Sequence, residues 1–231
     1  MNAIAKFEKV SLKEFSRAMR KVFPKYEFTD EMLQIMLNEI HLPVRSTKRS
    51  AGYDFFAPFE FTLAPGTSII IPTGIRCNIF DDGWFLDIVP KSGIGTKTSI
   101  HLSNTMGIID ADYYQSENEG HIMVKLEMPV DNPMPTPFTS HTSQFKTDLR
   151  IKRKNYHFEE GQKFVQGIFT IFGITVNDDE DEKEDRNGGF GSTDKESVKS
   201  NDPISSNEDD DMTELDDFFM EREREREKWS F

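Results

Sequence analysis

Residues 67–90 read TSIIIPTGIRCNIFDDGWFLDIVP, and this stretch decides the fold class. Apolar runs of a few residues alternate in it with Gly, Pro and Asp, which is typical of short strands joined by turns. Two further runs of the same kind follow, HIMVKLEM at 121–128 and KFVQGIFTIFGIT at 163–175. The pattern predicts an all-β domain, a sandwich or barrel of short strands.

Two helices are predicted before these strands. One covers residues 11–22 after Ser11, and the other begins after Thr29 and ends before Pro43; Ser and Thr are preferred N-cap residues. The apolar positions at helical spacing are Leu12, Phe15, Met19 and Val22 in the first helix and Met32, Ile35, Met36 and Ile40 in the second. The methionines among them are expected to serve packing rather than a cofactor.

The chain divides into a globular part and a charged tail. Apolar residues become sparse after position 176, and residues 194–231 hold 14 acidic and 6 basic residues, contributing −8 of the net charge of −13. Such a segment cannot bury a core and is expected to be disordered. The predicted divisions are a helical extension at 1–42, a β domain at 43–176, an acidic linker with a mobile arm at 177–195 and a charged tail at 196–231.

One insertion interrupts the β pattern at about 131–157. It is rich in Pro, Ser and Thr, and it is too long for an ordinary hairpin loop. Residues 149–157 are expected to add a strand, and residues 131–144 to form an irregular surface loop.

The composition argues against several classes of protein. The richest basic cluster, 150–154, lies in an irregular stretch, so direct nucleic-acid binding is not expected. No run approaches the roughly 20 apolar residues of a membrane span, and no segment is of the signal-peptide type. Cys77 is the single cysteine and is expected to be a small buried side chain, in agreement with a reducing cytoplasm.

The segment VPKSGIGTK, residues 89–97, has the composition of a phosphate-binding loop. Glycines allow the backbone to approach an anion, amides and the Ser92 hydroxyl can donate to it, and Lys91 and Lys97 balance its charge. Taken alone, a glycine-rich segment with lysines is more often an ordinary turn, and the spacing here is not that of a P-loop.

The segment NTMGIIDADYY, residues 104–114, places Asp110 directly after two isoleucines. A carboxylate fixed at the end of a buried strand suits a general base that holds a water molecule. Asp112 close by also allows Mg²⁺ ligation, and a structural turn is the alternative for both acids.

The segment RNGGFGSTDK, residues 186–195, surrounds Phe190 with glycines in a region that has no core. An aromatic side chain there suits stacking on a planar ligand, with Arg186, Ser192 and Thr193 as phosphate contacts. A flexible linker is the alternative interpretation.

Five segments, in chain order, resemble the five motifs of the trimeric dUTPase family. They are AGYDFFAP (51–58), PKSGIGTK (90–97), NTMGIIDADYY (104–114), GQKFVQGIF (161–169) and RNGGFGST (186–193). The resemblance implies a distorted jelly roll (β-clip), a homotrimer with shared active sites, and Mg²⁺-dependent hydrolysis of dUTP to dUMP and pyrophosphate. It further implies a role in limiting uracil incorporation into DNA and in supplying dUMP for thymidylate synthesis, in the cytoplasm of a bacterium or a phage-infected cell.

The resemblance also implies a role for each matching residue. Asp110 would deprotonate the attacking water, Tyr113 would pack against the deoxyribose and reject UTP, and Asp54 would reach the metal through water. The residues expected to contact substrate are Lys91, Ser92, Gly93, Asn104, Gly107, Tyr113, Gln166, Arg186, Phe190, Gly191, Ser192 and Thr193.

Three departures from the common motifs resemble variants of the branch in low-GC Gram-positive bacteria and their phages. Lys91 stands where many members have Arg, six residues separate Tyr113 from Gly120 where many have one, and one residue rather than two separates Arg186 from the Gly-Gly pair. The alternatives are a dCTP deaminase-like enzyme on the same fold, or a regulatory protein on a dUTPase scaffold acting through residues 131–157 or the tail.

Overall fold

A computed structural model describes residues 3–81, 83–130 and 154–178 of the chain. The strands are β1 (Ala5–Lys9), β2 (Val44–Arg45), β3 (Tyr53–Phe56), β4 (Phe61–Leu63), β5 (Ser68–Pro72), β6 (Ile75–Ile79), β7 (Trp84–Pro90), β8 (His101–Leu102), β9 (Gly107–Ile109), β10 (Met123–Glu127), β11 (Tyr156–Phe158) and β12 (Lys163–Ile171). The helices are α1 (Leu12–Val22), α2 (Asp30–Glu39) and α3 (Ser92–Thr98), with a 3-10 helix at Ala111–Gln115. The predicted all-β class is confirmed, and each of the apolar runs noted above contains a strand.

Small antiparallel sheets of jelly-roll type enclose the core. The largest has the strand order β2-β3-β12-β7-β9, and a second has the order β5-β10-β8. Strands β1 and β6 form one further pair, and β4 and β11 another. Alternation along the strands explains the burial: in β6, Ile75, Cys77 and Ile79 are buried while the residues between them are partly exposed.

Both predicted helices begin where the sequence indicates. The Ser11 hydroxyl accepts the amide of Glu14, and the Thr29 hydroxyl accepts the amide of Met32, so each residue caps its helix. The apolar face expected for α2 is partly wrong, because a different side of the helix faces the core. Leu33, Met36 and Leu37 are buried, as is Ile40 at the C-cap, while Met32 and Ile35 are half-buried.

The extension at 1–42 is not only helical. Strand β1 pairs with β6 from Ala5 opposite Ile79 to Lys9 opposite Ile75, although its sequence gave no strand signal strong enough to predict it. Helix α1 then places Phe15 and Met19 in the same core as the strands, both fully buried. The extension is therefore packed as part of the β domain.

Cys77 is buried, as expected. Burial raises the pKa of its thiol to about 12, so the side chain is a protonated packing group. Within the described ranges, no helix has the length and apolar character to cross a membrane.

Candidate active site

The five-stranded sheet carries four of the five motif-like segments on neighbouring strands, in the order β3-β12-β7-β9. Gln166 on β12 lies directly opposite Asp54 on β3, and on its other side it pairs with Val89 on β7. Lys91 directly follows β7, at the end of the sheet where these residues lie. Strand β9 is antiparallel to β7, so Asp110, which follows β9, lies beside the start of β7, away from Lys91 in the same chain.

Asp54 is the centre of a charged cluster at this sheet. Lys91 Nζ donates to its Oδ1 at 2.7 Å, and Lys163 Nζ lies 2.9 Å from its Oδ2, which also accepts the Ser46 hydroxyl. Burial disfavours the charged form, but the hydrogen bonds from Lys91, Ser46 and Lys163 outweigh it and lower the pKa of Asp54 to about 2. Asp54 is therefore a carboxylate at neutral pH.

Lys163 and Ser46 are the residues of this cluster that the sequence analysis did not single out. Lys163 stands at the start of β12, inside GQKFVQGIF, and its Nζ also donates to Ser46 Oγ at 2.6 Å. Only Gln166 was singled out in that segment, although a lysine beside a motif residue was a usable signal. With two ammonium groups and one carboxylate, the cluster carries an excess positive charge that suits an anion.

The side chain of Gln166 packs against Gly52, which has no side chain of its own. A Cβ added to Gly52 would lie 2.5 Å from Gln166 Oε1 and 3.2 Å from its Cδ. The side chain of Gln166 therefore occupies the space that any larger residue at position 52 would need.

Most of the segment at 89–97 lies in a short helix, α3, rather than in an ordinary turn. Lys91 is the N-cap of α3, and Ser92 and Gly93 are exposed in its first turn. The first amides of a helix have no partner within the helix, so they are available as donors. An added Cβ at Gly93 would meet no atom within 4 Å, so the space around this turn is open.

The turn between β8 and β9 carries Asn104, which is exposed. Thr105 has a φ of 66°, an unfavourable conformation for a β-branched residue, and the Met106 amide donates to Asn104 O at 2.7 Å. A Cβ on Gly107 would lie 3.3 Å from Ile88 Cβ, so the turn fits closely against β7. Local strain of this kind often marks a functional turn.

Asp110 follows β9 and is half-buried. Its expected position at the end of a buried strand is only partly correct, because β9 is an edge strand: Ile109 is buried, while Ile108 is 53% exposed. The Asp110 carbonyl accepts the Tyr113 amide at 3.2 Å, so the two residues belong to the same turn of the 3-10 helix.

The hydroxyl of Tyr113 is fixed by two hydrogen bonds. Its side chain is 5% exposed, its hydroxyl donates to the His121 carbonyl at 2.9 Å, and Asn118 Nδ2 donates to the hydroxyl at 2.7 Å. A contact with a sugar would therefore use the ring and not the hydroxyl.

The remaining predicted residues lie outside the described residues. They are Arg186, Phe190, Gly191, Ser192 and Thr193, together with the tail and residues 131–153 of the insertion. Of the strand expected at 149–157, the described part contains Tyr156–Phe158, which pairs with β4.

Comparisons with known proteins show what the chain is similar to. A family model described as dUTPase matches residues 38–127. The deoxyuridine 5'-triphosphate nucleotidohydrolase of Lactococcus lactis is 34% identical over 155 residues, covering 67% of this chain and 88% of that protein. The enzyme of the same name from Tolumonas auensis is 34% identical over 161 residues, covering 68% and 89%. The crystal structure of a dUTPase from Streptococcus mutans aligns with a TM-score of 0.46 at 24% identity, covering 73% of this chain and 97% of that one.

The fold and the cluster around Asp54 define an all-β protein with a positively charged group of side chains beside its largest sheet. The identity to the Lactococcus protein over most of its length goes further, and the chain belongs to the dUTPase family.

Proposed function

We propose that the chain is a dUTP diphosphatase that hydrolyses dUTP to dUMP and pyrophosphate. It thereby limits uracil incorporation into DNA and supplies dUMP for thymidylate synthesis. The observation that carries this proposal is the 34% identity to the Lactococcus deoxyuridine 5'-triphosphate nucleotidohydrolase across 88% of that protein.

The phosphates would bind at the start of α3 and at the charged cluster. The exposed hydroxyl of Ser92 and the first amides of α3, including that of Gly93, would donate to the α- and β-phosphates. Lys91 and Lys163 supply positive charge there, each fixed by its contact with Asp54. Gln166, two strands from β9 in the same sheet, would orient the phosphate side.

The water attacking the α-phosphorus would be held and deprotonated by Asp110. Its backbone is fixed between β9 and the 3-10 helix, as a general base requires. Asn104 and Gly107 would contact the uracil edge from the β8–β9 turn, and the Tyr113 ring would exclude a 2′-hydroxyl. The buried position of Tyr113 supports a rigid ring at that point.

The predicted arm at 177–195 would complete the site. Phe190 would cover the base, and the γ-phosphate would be contacted by Arg186, Gly191, Ser192 and Thr193. Closure of such an arm would exclude bulk water from the reaction.

Mg²⁺ would be held chiefly by the triphosphate. Among residues 3–81, 83–130 and 154–178, no group of three or more His, Cys, Asp or Glu side chains is arranged to hold a metal. Asp54 already accepts bonds from Lys91 and Lys163, so an outer role through water fits it better than direct ligation. The bound ion would supply charge neutralisation on the triphosphate.

A homotrimer is part of the same proposal. Ile108 on the edge strand β9 is 53% exposed. An exposed apolar side chain on an unpaired strand edge supports coverage of this edge by another copy. Sedimentation analysis would give the mass of three chains.

The alternatives are less well supported. The matched relatives are dUTP hydrolases, which disfavours a dCTP deaminase. A regulatory partner bound through residues 131–157 or the tail stays a prediction, since most of these residues lie outside those described.

Pyrophosphate release from dUTP, UTP, dTTP and dCTP, measured side by side with Mg²⁺, tests the function. We expect release from dUTP and little from the other three. Deamination of dCTP, detected by product mass, would instead support the alternative enzyme.

A further inference from the structure

Helix α1 is connected to the stretched segment between Tyr113 and Gly120 by an exposed contact. The Ser11 amide donates to Glu119 Oε2 at 2.8 Å, and the Ser11 hydroxyl donates to Glu119 Oε1. Both carboxylate oxygens are therefore bonded at the helix N-terminus, where negative charge is favoured. Glu119 has a φ of 57°, a conformation that a non-glycine residue keeps only when its surroundings hold it.

A second connection is buried. His121 is fully buried, Glu14 is 4% exposed, and His121 Nδ1 lies 3.2 Å from Glu14 Oε1. The Gly74 amide donates to His121 Nε2 at 2.9 Å, so Nε2 is an acceptor and the ring proton is on Nδ1, which donates to Glu14.

Arg17, which is exposed, binds the buried Glu14 from the solvent side. It forms a two-point contact with Glu14, from Nε at 2.7 Å and from Nη2 at 2.9 Å. Burial disfavours ionisation of Glu14, but the hydrogen bonds from His121 and Arg17 outweigh it, so the pKa of Glu14 lies below its ordinary value.

Both connections end at Tyr113. The His121 carbonyl accepts its hydroxyl, and Asn118, one residue before Glu119, donates to the same hydroxyl. Gly120 has a φ of 70°, and a Cβ there would lie 2.7 Å from Tyr114 Cα, so the extra residues fold back tightly on the 3-10 helix. A displacement of Glu119 or His121 would therefore be transmitted to the Tyr113 ring.

We propose that α1 is a positioning element of the hydrolytic site: by holding Glu119 and His121, it fixes the ring of Tyr113 against which the deoxyribose is selected. This inference rests on the proposed function. Ser11, Glu14, Glu119 and His121 are positioning residues, since they act through Tyr113. The common motifs do not contain these residues, and the added length between Tyr113 and Gly120 is what lets the segment reach α1.

The exposed contact gives the first test. Glu119→Leu removes both carboxylate oxygens, so both bonds to Ser11 are lost. We expect the ratio of kcat/KM for dUTP to that for UTP to fall about tenfold. Glu117→Leu is the matched control, because it makes the same change at an exposed neighbour, and its ratio should equal that of the unaltered protein.

The buried contact gives a second, paired test. The amide of His121→Asn replaces Nδ1 and can still donate to Glu14, whereas that of His121→Gln replaces Nε2 and keeps only the contact with Gly74. We expect His121→Asn to retain more of the preference for dUTP than His121→Gln, by about tenfold.

The outcomes are separable. An unchanged preference in Glu119→Leu, whatever its stability, overturns the positioning role, and so does equal discrimination by two folded His121 variants. If the His121 variants do not fold, the Glu119→Leu result decides alone. Failure of the proposed function looks different, because the unaltered protein would then release no pyrophosphate from dUTP.

Discussion

Lys163 Nζ lies 2.9 Å from Asp54 Oδ2, while Lys91 Nζ lies 2.7 Å from Asp54 Oδ1, so the carboxylate separates two cations. Asp54 fixes both ammonium groups and leaves the cluster with an excess positive charge. The buried carboxylate of Asp54 therefore holds the two ammonium groups apart.

Removal of one cation should weaken substrate binding. We expect Lys163→Met to raise KM for dUTP by about tenfold with a smaller effect on kcat, because the cluster would become neutral. Initial-rate kinetics would measure both constants. Lys163→Arg should recover most of the loss, and Lys125→Met, which removes an exposed lysine on β10, should leave KM unchanged; an equal effect of Lys125→Met would show that only net charge matters.

The contact between Gly52 and Gln166 predicts that a substitution at position 52 lowers activity and leaves stability nearly unchanged. In Gly52→Ala the new methyl would displace the end of a flexible side chain rather than backbone, so the fold should tolerate it. We expect kcat/KM for dUTP to fall about tenfold, with a change in unfolding free energy below about 1 kcal/mol. Gly173→Ala is the control, since a Cβ there meets nothing within 4 Å. A fully active Gly52→Ala protein would argue against a role for Gln166.

The pKa of Asp54 predicts how stability depends on pH. The pKa of about 2 in the folded chain is below the ordinary value of 3.8, so the charged form stabilises the fold above about pH 4. This stabilisation, about 2 kcal/mol, should be lost as the pH falls from about 4 to about 2. Denaturant unfolding at several pH values would measure it. Asp54→Asn should show a flatter pH dependence over this window, and an identical dependence in both proteins would contradict the assignment.

The arm can be tested through Phe190, which lies outside the described residues. If its ring covers the uracil, Phe190→Ala should lower kcat by about tenfold through incomplete closure, with a smaller change in KM. Phe190→Trp should retain activity because it can still stack. Equal turnover by all three proteins would remove Phe190 from the mechanism.

The sequence predicted much of the fold because its signals were local. Ser11 and Thr29 cap their helices as expected, and the alternating apolar residues of β6 follow the predicted strand. The core-facing side of α2 was predicted incorrectly because Met32 and Ile35 fit an apolar helical face as well as Leu33 and Leu37 do. Only tertiary packing distinguishes the two pairs.

The site was predicted less completely, because its contacts are distant in sequence. Lys163 meets Asp54 only through the pairing of β12 with β3, and Glu14 meets His121 across 107 positions. Asp110 and Lys91 could be found because they stand in recognisable motifs. The connection between α1 and Tyr113 has no local signal.

The most direct test of the central claim is pyrophosphate release from dUTP by Asp110→Asn with Mg²⁺ present. We expect turnover to fall by about a thousandfold, because the amide cannot accept the proton of the attacking water, while dUTP binding measured by calorimetry stays close to that of the unaltered protein. Asp81→Asn, a change at an exposed acid, should keep full activity. Undiminished pyrophosphate release by Asp110→Asn would contradict the account.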